Sequence, residues 1–190
     1  MTLIDAHAHL SFFNEAQLTA IFQKAQQQGI SGWVMAGYDL PDWRQQQNIS
    51  KQYSNIKMSF GLHPWQVLAL KDDEIEAQMR ELSVMLPQAQ ACGETGIDGF
   101  RTEEPALLAK QRDIFLRHLE LNKSLGLPLV LHIVKAHDDS IALLKQYSYR
   151  GIVHGFSGSW ETAKRYISLG YKISLGRGIY QKGFKNLKET

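Results

Sequence analysis

The stretch Asp5-Ala6-His7-Ala8-His9 closes the apolar run Leu3-Ile4, and side chains two apart on a strand project to the same face. At the point where a buried strand meets the surface, His7 and His9 can grip one metal ion. Two ligands seldom hold a catalytic ion alone, so the weight falls on the other ligand-type residues. His63 follows Ile56-Lys57-Met58-Ser59-Phe60-Gly61-Leu62, His132 follows Pro128-Leu129-Val130-Leu131, and His154 follows Gly151-Ile152-Val153. The run Ala89-Gln90-Ala91-Cys92-Gly93 ends in Glu94. Each of these runs ends in one ligand-type residue, always at the same end. Of the seven histidines, His118 and His137 break the pattern; they fall in helical stretches and are expected at the surface.

His7, His9, Glu94, His132 and His154 are too many ligands for one catalytic ion that must keep a position open. They suit two ions bridged by Glu94. Such pairs lie ~3.5–4 Å apart, generate hydroxide near neutral pH and clamp an in-line displacement at phosphorus or a tetrahedral attack at carbon. The imidazoles point to two divalent ions of the Zn, Mn, Fe, Co or Ni type ahead of Mg, whose preferred cage is all oxygen.

The elements that position these residues alternate. After the first strand, Leu18, Ile21, Phe22 and Ala25 recur at helical spacing in a segment opening at Glu15 and stopped by Gly29. Strands are read at Ser31 to Gly37, Ile56 to Leu62, Ala89 to Glu94, Pro128 to His132, Gly151 to His154 and Tyr171 to Leu175. Helices are read at Asp42 to Tyr53, from Asp72 with its acidic first turn, at Pro105 to Leu125, Asp138 to Tyr147 and Ser159 to Leu169. Unalternating apolar strands between helices indicate a parallel sheet buried on both faces. Ligand-type residues from five strands at one end favour a β/α barrel over an open sheet, whose ligands gather at a switch point. Seven strands are counted where a barrel needs eight, and the fold class is α/β, a TIM-type barrel that stops after its seventh strand.

At 190 residues, 44% hydrophobic and 21% charged, the chain has material for one sizeable core and reads as a single domain over 1–190. A net charge of +2 is too small for a dedicated nucleic-acid surface, so any such substrate has to be inferred from the site. One cysteine, Cys92, excludes an internal disulfide framework, fits a reducing compartment and is read as packing. No signal segment or membrane span is visible, which gives a cytoplasmic protein with no membrane partner.

Taken together, Asp5-Ala6-His7-Ala8-His9, Gly61-Leu62-His63-Pro64, Gly93-Glu94-Thr95-Gly96-Ile97-Asp98, Leu129-Val130-Leu131-His132 and Val153-His154-Gly155-Phe156-Ser157-Gly158 resemble the TatD-like metal-dependent DNases of the amidohydrolase superfamily. The resemblance runs through the whole chain in order. It implies a distorted TIM barrel with His7 and His9 on one metal, His132 and His154 on the other, Glu94 between them as the catalytic carboxylate, and hydrolysis of a phosphodiester in DNA or a small molecule, exonucleolytic in some members. It also implies that His63 faces substrate and that Gln111 and Phe115 are packing residues; Trp65, on the same loop at the rim of the site, is read from its position as a surface on which a base or apolar group stacks. Two departures stand out. Where the family has Ser-Arg after the fifth-strand histidine, this chain has Ile133-Val134, leaving Lys135 as the nearby cation, a point charge without the arginine fork. The family's eighth strand ends in Glu-Thr-Asp, whereas Lys188-Glu189-Thr190 is read as coincidence and Gly183 to Thr190 as the first turns of a helix, so the sequence is expected to be a fragment or a natural truncation with open strand edges. The alternatives are another amidohydrolase reaction, on an amide or lactone, and a metal-binding chain without turnover.

Overall fold

The computed structural model describes residues 3–176; Gly183 to Thr190, including the Lys188-Glu189-Thr190 ending, lies outside them. The strands are β1 Leu3–Ala8, β2 Ile30–Met35, β3 Ile56–Lys57, β4 Ser59–Phe60, β5 Ala91–Asp98, β6 Leu129–Val134, β7 Gly151–His154 and β8 Tyr171–Ile173. Between them run α1 Glu15–Gln27, α2 Leu40–Gln52, α3 Pro64–Ala69, α4 Asp72–Met85, α5 Pro105–Leu121, α6 His137–Leu144 and α7 Trp160–Ser168. Every strand pairing is parallel and follows chain order, β1-β2-β3 and β4-β5-β6-β7-β8. The segment expected as one strand from Ile56 to Leu62 is broken at Met58, whose backbone is held by Gln90 instead of by a continuing ladder. β3 therefore pairs with β2 and β4 with β5, and the seven expected strand positions form an arc of a barrel.

Local chemistry explains the helix ends. Asn14 and Gln17 form a capping box at the start of α1, Asp39 accepts the Asp42 N–H at the start of α2, and prolines occupy the first turns of α2, α3 and α5. The main core lies between the β4–β7 strands and their helices, with Trp43, Phe60, Phe115 and Tyr166 fully buried, and a smaller cluster around Trp33 and Met35 packs under β2. Cys92 is buried within the main core, and burial pushes its thiol up to about 12, as expected of a packing residue. All eight residues of β5 are buried, as a two-sided parallel strand requires. β1 is not: Leu3 is 47% and Ile4 66% exposed, because among the described residues β1 pairs on one edge only, with β2. Among the described residues no helix is long and apolar enough to cross a membrane.

His118 corrects the expectation of a surface residue. It is fully buried in α5, with Nδ1 bonded to the Ile114 carbonyl at 2.7 Å and Nε2 accepting the Leu62 N–H at 2.9 Å. The helical spacing was right, but the residue lies on the inward face, where it satisfies the backbone leading into His63. His137 is half-buried, its Nδ1 3.2 Å from the Tyr166 hydroxyl. Burial pushes the His118 pKa down from 6.5 to about 4. A lowered histidine pKa contributes stability that is present above about pH 6.5 and lost as pH falls towards 4, because the unfolded chain binds the proton first. The expected loss from this one group is roughly 2 kcal/mol by about pH 5. Denaturant melts of wild type and His118→Gln should therefore converge between about pH 7 and pH 5; a constant stability gap across that range would refute the assignment.

Candidate metal centre

The site is assembled at the C-terminal halves of the strands. His7 lies on β1, and His9 directly follows it at the start of a 3-10 turn, Leu10–Phe12. His132 on β6 stands in register with His154 on β7 and Gly96 on β5. β5 runs four residues past its expected end, so Glu94 sits mid-strand and Asp98, on the same side by strand periodicity, closes it. Glu94 is brought forward by an irregularity in the β5–β6 register between Gly93 and Thr95. Gly93 permits this: its φ is +137°, and a Cβ there would stand 2.2 Å from the Val130 carbonyl oxygen.

Glu94 is 1% exposed, and four imidazoles converge on its two oxygens. His7 Nε2 lies 3.0 Å and His9 Nε2 3.6 Å from Oε2; His132 Nδ1 lies 3.0 Å and His63 Nε2 3.5 Å from Oε1. The His154 ring stacks on His7 with centroids 3.3 Å apart. Ligand atoms of His7, Glu94 and His154 lie within 4.8 Å of one another, as do those of His63, Glu94 and His132. This division by distance places His154 with His7, and it differs from the pairing that the family resemblance implies.

Hydrogen bonds on the far side of each ring fix what the near nitrogen can do. His132 Nε2 donates to Asp98 Oδ2 at 2.9 Å, so in the neutral ring the Nδ1 lone pair faces a Glu94 oxygen 3.0 Å away. Two acceptors at that distance require a cation between them. A proton meets the requirement: burial alone would lower the His132 pKa, but hydrogen bonds to Asp98 and Glu94 outweigh it and raise it to about 9. A divalent metal ion fits the same place, with Asp98 orienting the ligand ring. His63 is different. Its Nδ1 accepts the Trp65 N–H at 3.1 Å, which puts the proton of a neutral ring on Nε2 and makes that nitrogen a donor.

The electrostatics suit metal binding. Burial would raise the Glu94 pKa, yet hydrogen bonds from His132 and His63 and the nearby His63 and His7 hold it well below the usual carboxylate range. Burial pushes His7 down to about 3 against the pull of Glu94, and lowers His63 and His154. His7, His63 and His154 held neutral beside one ionised carboxylate, with His132 giving up its proton when a metal takes its place, make a transition-metal donor set. Among the described residues the buried Nδ1 atoms of His9 and His154 have no hydrogen-bond partner. His9, His63, His132, His154 and Glu94 line a cavity of about 390 Å³ with aromatic walls, Phe12, Tyr38 and Trp65.

The family described as TatD related DNase matches residues 4–190. The chain belongs to that family. It is 31% identical over 196 residues to an uncharacterized metal-dependent hydrolase of Haemophilus influenzae, covering 97% of this chain and 74% of the relative. It resembles the crystal structure of the TatD homologue YjjV from Escherichia coli K12 with a TM-score of 0.85 at 28% identity, covering 98% of this chain and 73% of that one. A Rahnella relative named 3'-5' ssDNA/RNA exonuclease TatD is 32% identical over 169 residues, covering 87% of this chain and 62% of that protein. The TatD-type barrel and metal-dependent hydrolase class expected from the sequence are thereby those of this chain.

Within this TatD-family site, His7, His9, His63, Glu94, His132 and His154 come together and Trp65 lies on the cavity wall. Lys135 does not join them. It has φ +51° and its ammonium lies 5.1 Å from the centre of the exposed Phe100 ring. Gln111 and Phe115 are buried packing residues, and Gln111 also accepts the Asp98 N–H at 2.7 Å. Sequence reasoning missed four contributors: Asp98, whose four-residue spacing from Glu94 was the available signal; Phe12, in the turn after His9; Tyr38, in the loop after β2; and Arg101, whose guanidinium stacks on Trp65. Nothing local in the sequence marks the last two.

Proposed function

We propose that this chain hydrolyses phosphodiester bonds of nucleic acid, cutting at a strand end, with two divalent ions of the Zn, Mn, Co or Ni type held by His7, His9, Glu94, His132 and His154. The observation that carries the reading is the buried Glu94 carboxylate with imidazole nitrogens on both its oxygens, an arrangement suited to presenting one oxygen to each ion. Held by these residues, two divalent ions would supply a hydroxide nucleophile near neutral pH and polarisation of a phosphoryl oxygen. The remaining work belongs to the chain. Asp98 holds the His132 ring in the tautomer that faces Glu94. His63 Nε2–H donates to a substrate oxygen. Phe12, Tyr38 and Trp65 offer surfaces on which a base stacks, each worth ~1–3 kcal/mol. A cavity of about 390 Å³ suits one terminal nucleotide, and the Rahnella relative's name points to a single-stranded polymer. Cys92, buried among apolar neighbours, is at home in a reducing compartment, and we assign the protein to the cytoplasm.

The test offers the chain a single-stranded oligonucleotide, bis(p-nitrophenyl) phosphate and an uncharged lactone, with metal, after chelation and after metal is returned. Mononucleotide release that disappears on chelation and comes back with Mn or Co supports the reading, with the lactone left intact. Lactone turnover with the oligonucleotide untouched would move the chain to the carbon-centred amidohydrolase reactions. Stoichiometric metal without turnover of any substrate would make it a metal-binding chain.

A further inference from the structure

Arg101 lies outside the ligand set, yet its placement is tightly specified. Asp98 is 2% exposed. Its Oδ1 accepts the backbone N–H groups of Phe100 and Arg101 at 2.9 and 3.0 Å, and its Oδ2 accepts the Trp65 indole N–H at 2.6 Å. One buried carboxylate thus anchors both partners of a stack in which the Arg101 guanidinium carbon lies 3.8 Å from the Trp65 ring centre. Trp65 is a wall of the cavity that contains Glu94. Across the same cavity, burial raises the Tyr38 pKa and the Arg101 charge opposes that rise. A guanidinium held against an indole face by cation–π attraction keeps its five N–H donors in a rigid planar fork and loses part of the entropy of a swinging chain before any ligand arrives. Among the described residues the Arg101 side chain has no carboxylate partner, whereas Arg117 is paired with Glu76 and Arg165 with Asp138. Lys135, the cation near His132 in sequence, is turned to Phe100.

We propose that Arg101, held on Trp65, is the phosphate-binding group of this site, gripping the non-bridging oxygens of a nucleic-acid phosphodiester and supplying the fork that Ile133-Val134 lack. The proposal rests on the nucleic-acid reading above and names the residue that gives that site its preference for an anionic substrate.

The test is equilibrium binding, not turnover. The anisotropy of a fluorescein-labelled oligothymidylate is titrated with chelator-treated protein across a range of salt. Arg101→Gln should weaken binding about tenfold at low salt, as loss of a charge-assisted contact does, and should flatten the slope of log affinity against log salt by about 0.7, one phosphate contact on a single strand. Arg101→Lys should keep most of the slope and still bind less tightly, because the charge remains and the fork is lost. Arg112→Gln, on the exposed side of α5, is the control for net charge. An unchanged slope in Arg101→Gln, an equal change in Arg112→Gln, or a loss of slope in Lys135→Gln in its place would each overturn the proposal. Because the readout involves no cleavage, failure of wild type to cut any phosphodiester would overturn the hydrolytic reading separately.

Discussion

Replacing Glu94 with glutamine should remove metal binding and hydrolysis together, the rate falling by about a thousandfold or more. The substitution keeps the shape of the side chain and deletes one charge. Glu94 is the carboxylate on which His7, His9, His63 and His132 converge, so in the proposed site it is the shared anion for both ions. A carboxamide would offer one metal a weaker, neutral oxygen and the other an N–H donor, which cannot bind a cation. The metal-free fold should survive, since without the Glu94 charge the His132 ring is no longer drawn to its protonated form, and its Nδ1, 3.0 Å from the Glu94 oxygen, can accept an N–H from the amide. Metal per chain, rate and thermal midpoint measured on one preparation separate these effects. Glu94→Gln with near-normal metal content would mean that the ligands lie elsewhere.

The site was legible in the sequence to the extent that it lies on strands. His7, Glu94, His132 and His154 each follow or end an apolar run, and parallel strands in chain order bring such residues to one rim, where they are found. The strand ends were less legible. The strand was read to end at Glu94, whereas β5 continues to Asp98 with Gly93 and Gly96 inside it, where the close approach of the Val130 and His132 backbones leaves no room for a Cβ at either position. That error hid Asp98 as the end of the strand. His118 was misplaced for the opposite reason. Polarity alone suggests the surface, but a histidine whose two nitrogens are both satisfied by backbone is at home in a core. The Trp65–Arg101 stack joins the first turn of α3 to the loop after β5 through a shared carboxylate, a relation that exists only after folding and has no periodicity to reveal it.

That carboxylate gives the second large expected effect. Asp98 accepts four N–H donors, His132 Nε2 and Trp65 Nε1 on Oδ2 and the Phe100 and Arg101 backbones on Oδ1. Burial raises its pKa, but bonds from His132 and Trp65 hold it well below the ordinary carboxylate range. Asparagine has the same shape and cannot do the same work. Whichever way the amide is turned, its NH₂ faces two donors: with nitrogen at the Oδ2 position it opposes His132 and Trp65, and at the Oδ1 position it opposes the loop backbone. Leaving buried donors unpaired costs about 1–3 kcal/mol each. The second orientation preserves the His132 and Trp65 bonds, so the loop that carries Arg101 is expected to yield first. Asp98→Asn should lower stability by about 2–3 kcal/mol and cut metal-supported activity by about 10–100-fold. It should also weaken oligothymidylate binding in the metal-free protein, as Arg101→Gln does. That third readout is decisive, because a carboxylate that merely orients His132 would change metal affinity and leave metal-free binding of the oligonucleotide at its wild-type value.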